Sequence, residues 1–183
     1  MNSLAPALLL SMPQMVDPNF TKTVVLLCRH SEEGAFGLVL NRPAIASGRV
    51  IVGGEPMFST DREFQLWVGG PVDPQQSWML VGHPSEEDLP EGLEIAEGLH
   101  LSTSPDLLRR LFQPDPPPRT RLMAGYSGWG PGQLEAELEA SAWLLSDIST
   151  SLIFDIDPER MWDAAIRRLG ADPAALHGGG GVH

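Results

Sequence analysis

Residues 23–43, TVVLLCRHSEEGAFGLVLNRP, set two runs of β-forming side chains on either side of one polar break. Thr23, Val24, Val25, Leu26 and Leu27 carry the first run, which reaches Arg29, and the second spans Phe36 to Leu40. Between them His30, Ser31, Glu32, Glu33 and Gly34 supply turn chemistry, so the segment reads as a β-hairpin. A hairpin commits the surrounding sheet to antiparallel or mixed pairing rather than to a doubly wound parallel arrangement.

Upstream, Ala7 to Met12 is an apolar run too short for a stable helix and reads as a buried strand ending before Pro13. With Pro6 inside the opening apolar stretch and no Lys or Arg ahead of it, that stretch suits neither a signal peptide nor a membrane span. Downstream, Ala44 to Glu63 reads as a mostly irregular, extended loop, because Gly53, Gly54 and Pro56 interrupt the brief run Val50, Ile51, Val52. Further strands are expected at Gln65–Val68, Trp78–Val81, Leu93–Ala96, Leu99–Leu101, Arg121–Tyr126, Trp143–Ser146 and Leu152–Asp155. Ser104, Pro105 and Asp106 form a helix start, and the helix ends by Gln113 ahead of a proline run read as a rigid loop. A second helix follows Pro131 to about Ala140, after a sharp glycine turn over Gly125 to Gly132. A third starts at Asp157, with Met161, Trp162, Ala165, Ile166 and Leu169 as one apolar stripe before Gly170.

With 183 residues, the chain suits a single domain over 1–176, followed by a glycine-rich tail, 177–183, expected to be disordered. Its 17 prolines and 19 glycines imply short elements rather than long helical bundles. A formal charge of −12 disfavours direct nucleic-acid binding and anionic lipid surfaces. The basic pairs Arg109 with Arg110, Arg119 with Arg121, and Arg167 with Arg168 read as solvated positions. One cysteine excludes an intrachain disulfide and fits a reducing compartment, so a soluble cytoplasmic protein without a membrane partner is expected.

Chemistry-bearing patterns are sparse. The turn from Gly125 to Gly132 precedes a helix, yet Gln133 and Leu134 stand where a phosphate loop needs Lys and then Ser or Thr. Around Ser127, Trp129 occupies the position that the hydrolase elbow requires as glycine. No two of His30, His83, His100, His177 and His183 have helical zinc spacing, and no carboxylate pair stands out. Cys28 and His30 are two apart on a strand and so share a face, where His30 or Arg29 could stabilise a thiolate; the alternative is a buried apolar filler. Catalytic residues, metal and cofactor are therefore none. The candidate ligand or redox positions are Cys28, His30, Asn41, Arg42, Gly128, Trp129 and Gly130.

Three stretches in this order carry a resemblance: MPQMVDPNFTKTVVLLCRHSEEGAFGLVLNRP at 12–43, GGPVD at 69–73, and GYSGWGPGQLEAELEASAWL at 125–144. The chain resembles the YqgE/AlgH family of bacterial proteins along nearly its whole length. That resemblance implies an α+β fold whose bifurcated, largely antiparallel sheet curls into a pseudo-barrel with about three packed helices. Members are often labelled transcriptional regulators, and the family supplies no catalytic residues to carry over. The expected function is a regulatory or protein-interaction role without catalysis, with an unknown protein partner; the alternative is a thiol-based redox sensor or small-molecule binder centred on Cys28.

Overall fold

The computed structural model describes residues 2–13, 21–52, 54–84 and 92–178. Asp17, Pro18, Asn19 and Phe20 of the first motif, and the tail from 179 on, lie outside these residues. In chain order the first strands are β1 (Ala7–Ser11), β2 (Val24–Ser31), β3 (Gly34–Val39), β4 (Pro43–Val52), β5 (Glu55–Val68), β6 (Val72–Gly82), β7 (Gly92–Ala96) and β8 (Leu99–Ser102). Then come α1 (Pro105–Leu111), β9 (Thr120–Trp129), α2 (Gln133–Glu139), β10 (Trp143–Ser146), α3 (Thr150–Asp155), α4 (Pro158–Arg168) and α5 (Pro173–Gly178). The chain divides into two compact units, one of Met1–Asn41 with Ser127–His183 and one of Arg42–Tyr126.

In the first unit β2 and β3 form the expected antiparallel hairpin, with Leu26 opposite Leu38 and the reversal at Glu32 and Glu33. β1 joins β2 on its other side with Leu8 opposite Leu26, and β10 pairs with β1. Ala7 to Ser11 and Val24 to Leu27 are buried without alternation, as strands covered on both faces must be. One cover is α4, whose Met161, Trp162, Ala165 and Ile166 are buried and which packs on β1 and β2. Asp157 caps that helix by accepting from the Glu159 N–H, and the Trp162 indole donates to the Ser11 carbonyl at 2.9 Å.

In the second unit β4 and β5 form a long antiparallel hairpin, which replaces the irregular loop expected over 44–63. Pro43, Ile45, Ser47 and Arg49 are exposed, while Ala44, Ala46 and Gly48 are part-buried and Val50 is buried. This is strand periodicity concealed by small inward residues. β4 pairs in parallel with β6, β6 antiparallel with β9, and β9 in parallel with β5, so four strands close on themselves as a barrel. Leu107 and Leu108 of α1 fill one part of its core with Val50, Val52, Met79, Val81 and Leu122. β8 and β7 extend the sheet from β6. An α+β pseudo-barrel is thus the observed architecture, and β9 contributes its first residues to one sheet and its last to the other.

Three local expectations need correction. Leu152–Asp155 lies in the helix α3, because the Ser149 hydroxyl caps the Leu152 N–H and overrides the β-forming content of Ile153 and Phe154. The glycine segment stays extended to Trp129 and reverses only over 130–132. Five helices, rather than about three, occur among the described residues. None of the described helices is long and apolar enough to cross a membrane.

Candidate functional site

The hairpin and the glycine motif meet within the first unit. β3 pairs with the end of β9 so that Ala35, Phe36 and Gly37 lie opposite Trp129, Gly128 and Ser127. A Cβ at Gly34 would overlap the Trp129 carbonyl, and one at Gly37 would press on Leu26 O and Val25 Cγ1 at 2.9 and 2.8 Å. These motif glycines are therefore set by close backbone approach.

Three side chains of α2 then tie the surroundings together. Gln133 Oε1 accepts from the Gly130 N–H at 3.0 Å. Glu137 Oε2 accepts from the Trp129 indole at 2.7 Å and from the Trp143 indole at 3.4 Å, while the two rings meet edge to face. Glu135 pairs with Nε2 of His30, whose Nδ1 accepts from the Leu4 N–H at 3.0 Å. These two bonds assign the His30 proton to Nε2.

The hydrogen bond from His30 is the main reason the Glu135 carboxyl lies below its ordinary range, with a backbone hydrogen bond adding to it. A depressed carboxylate stabilises the fold above its unfolded value, about pH 4.3, and the contribution disappears as pH falls through the lowered folded value. Urea midpoints measured from pH 6 to pH 3 should therefore fall more steeply for the wild type than for Glu135→Gln. Parallel curves would mean that the pair contributes nothing to acid stability.

The candidate positions do not converge on one pocket. Cys28 falls in a bulge between Leu27 and Arg29, which breaks the shared face expected for Cys28 and His30. Cys28 Sγ donates to the Leu26 carbonyl, and desolvation pushes its thiol up to about 12 against the smaller lowering pull of Arg29. Asn41 clamps the other end of the hairpin, accepting from the Val24 N–H at 3.1 Å and donating to the Lys22 carbonyl at 3.0 Å. Val24 and His30 are roughly 20 Å apart along β2 at the usual strand rise. Arg42 belongs to the second unit, where burial lowers its pKa. Among the described residues no group of three His, Cys, Asp or Glu side chains could hold a metal. Each basic pair has at least one engaged member: Arg109 with Asp106, Arg121 over the Trp67 ring, and Arg168 on the Asp147 carbonyl.

A cleft of about 350 Å³ in the second unit was not anticipated from sequence. All four barrel strands line it: Ala46, Ser47, Arg49, Val50 and Ile51 of β4, Phe64 and Leu66 of β5, Pro74, Gln75 and Ser77 of β6, and Leu122 and Ala124 of β9. It opens where β6 leaves β9, since Val72 faces Tyr126 but the next paired residue, Ser77, faces Ala124. Residues 73–76 form the irregularity between these pairs, with Asp73 at φ +45.

Comparison with known proteins gives a consistent result. The sequence profile of the AlgH-like family, DUF179, matches residues 8–174. A UPF0301 protein of Myxococcus xanthus is 41% identical with full coverage of both chains. Another, of Magnetococcus marinus, is 37% identical over 95% of this chain and 93% of its own length. The solution structure of the AlgH protein from Pseudomonas aeruginosa is similar with a TM-score of 0.71 at 33% identity, covering 100% of this chain and 96% of that one. An X-ray structure from Corynebacterium diphtheriae, 20% identical, shares the fold with a TM-score of 0.67 over 97% and 91% of the two chains.

Proposed function

The chain belongs to the AlgH-like family, and from that premise we propose that it works through a protein partner, in a regulatory or interaction role without catalysis. The observation that supports this reading is how the motif side chains are used. His30, Asn41, Trp129 and Gln133 each bond another part of their own unit. A catalytic group must instead present a reactive atom to substrate. The motifs act as framework, and recognition falls to the surface they hold in place. Direct nucleic-acid binding is disfavoured by the charge of −12 and by the engagement of arginines in all three basic pairs.

Affinity capture from a lysate of the native cell tests the reading, using wild type and Cys28→Ser as baits. The same partner should be retained by both and should bind the purified chain saturably. Repeated captures that yield no saturable partner would overturn it.

The thiol-sensor alternative requires an accessible, acidic sulfur. A thiol pushed up to about 12 carries roughly a thousandfold less thiolate at neutral pH than an ordinary one. Iodoacetamide should therefore label Cys28 in the folded chain far more slowly than free cysteine at pH 7. Labelling at or above the free rate would restore the sensor.

A further inference from the structure

We propose that the open end of the barrel in residues 42–126 binds a small amphipathic carboxylate, its apolar body against Phe64, Leu66 and Leu122 and its head group on Arg49. This site is independent of the partner-based reading above.

The cleft is concave and within the usual volume range of a small-molecule site, and its lining is shared about equally between apolar and polar surface. Its buried lining consists of Val50, Leu122, Ala124 and Ser77, of which only Ser77 is polar. Part-buried Ala46, Phe64 and Leu66 continue the apolar wall. The exposed lining residues are Ser47, Arg49, Pro74 and Gln75.

Charge selects the ligand class. The chain carries 24 Asp and Glu against 12 Lys and Arg, yet the cleft lining holds one cation and no carboxylate. Arg49 forms no ion pair with any described residue. A guanidinium offers a fork of donors that matches a carboxylate, and one such group balances a monoanion rather than a phosphate dianion. Apolar walls beside a single arginine therefore fit a carboxylate with a hydrocarbon or aromatic body.

Amide chemical-shift titration of the isotopically labelled full chain tests this, with octanoate as the probe and octanol and octylammonium as controls of matched length. Octanoate below its aggregation threshold should shift Ala46, Val50, Ser77 and Leu122 saturably and bind about tenfold tighter than octanol, the value of one charge-assisted hydrogen bond. Octylammonium should not bind. Arg49→Gln should reduce octanoate affinity about tenfold, to that of octanol, and Ala46→Trp should fill the cleft and remove both. Arg49 is a surface position, so its variant keeps the test valid if Ala46→Trp misfolds. The proposal is overturned by the absence of saturable shifts in the cleft, by equal binding of all three probes, or by an Arg49→Gln variant that binds octanoate as wild type does.

Discussion

Trp129→Ala should lose about 3–5 kcal/mol of folding stability, the range for truncating a buried aromatic side chain. Trp129 is 6% exposed and belongs to a cluster with Leu9, Val25, Leu27, Val39, Leu134 and Trp143. Its ring meets that of Trp143 edge to face at 6.0 Å, a geometry worth about 0.5–1.5 kcal/mol beyond burial. Its indole also donates to Glu137, which would keep only the longer bond from Trp143. Since domains of this size are stable by about 5–15 kcal/mol, the alanine variant should unfold at a much lower urea concentration. Trp129→Phe keeps an aromatic ring and loses the donor, so its cost should be smaller, about 1–3 kcal/mol. An alanine variant within about 1 kcal/mol of wild type would show that the cluster does not depend on this ring.

The second large effect comes from a pair of glycines that share one backbone conformation. Gly125 has φ +75 and Gly132 has φ +74, in the left-handed region that costs a non-glycine residue about 1–2 kcal/mol. Their surroundings differ. Nothing lies within 4 Å of a Cβ built at Gly132, whereas one at Gly125 would overlap the Gly70 carbonyl and meet Val72 O at 3.2 Å and the Pro74 Cα at 3.3 Å. These atoms are backbone and cannot rotate away. Gly132→Ala should therefore cost about 1 kcal/mol, and Gly125→Ala about 4 kcal/mol or more. Thermal melts of the two variants separate conformational strain from collision, and equal midpoints would mean that the 70–74 backbone yields.

What could be read from sequence follows from how local each cause is. The hairpin was legible because Thr23 to Leu27 and Phe36 to Leu40 are apolar runs around an unmistakable turn, and its register depends on little else. The helix from Pro158 was legible through Asp157 and a regular stripe of buried residues. The β4 strand was not, since Ala44, Ala46 and Gly48 face inward with too little apolar mass to mark a period. In α3 a capping bond outweighed the propensity of Ile153 and Phe154. The spread of the candidate positions has a nonlocal cause: the Cys28 bulge is defined by where Phe36 and Gly37 pair, and Asn41 and His30 sit at opposite ends of one ladder. Arg49 carries no sequence signal, because a lone arginine acquires meaning only beside the other strands that line the cleft.

The division of the chain also orders its biosynthesis. Residues 42–126 are continuous and so emerge together, whereas β1 takes β10 as its edge partner across about 135 residues, with Leu9 opposite Leu145. At ordinary translation speeds β1 is made on the order of ten seconds before β10 exists. During that interval Leu8, Leu9, Leu10 and the apolar run of β2 lack the α4 cover that later buries them. The nascent chain thus passes through a stage in which its most hydrophobic strands are complete and unshielded.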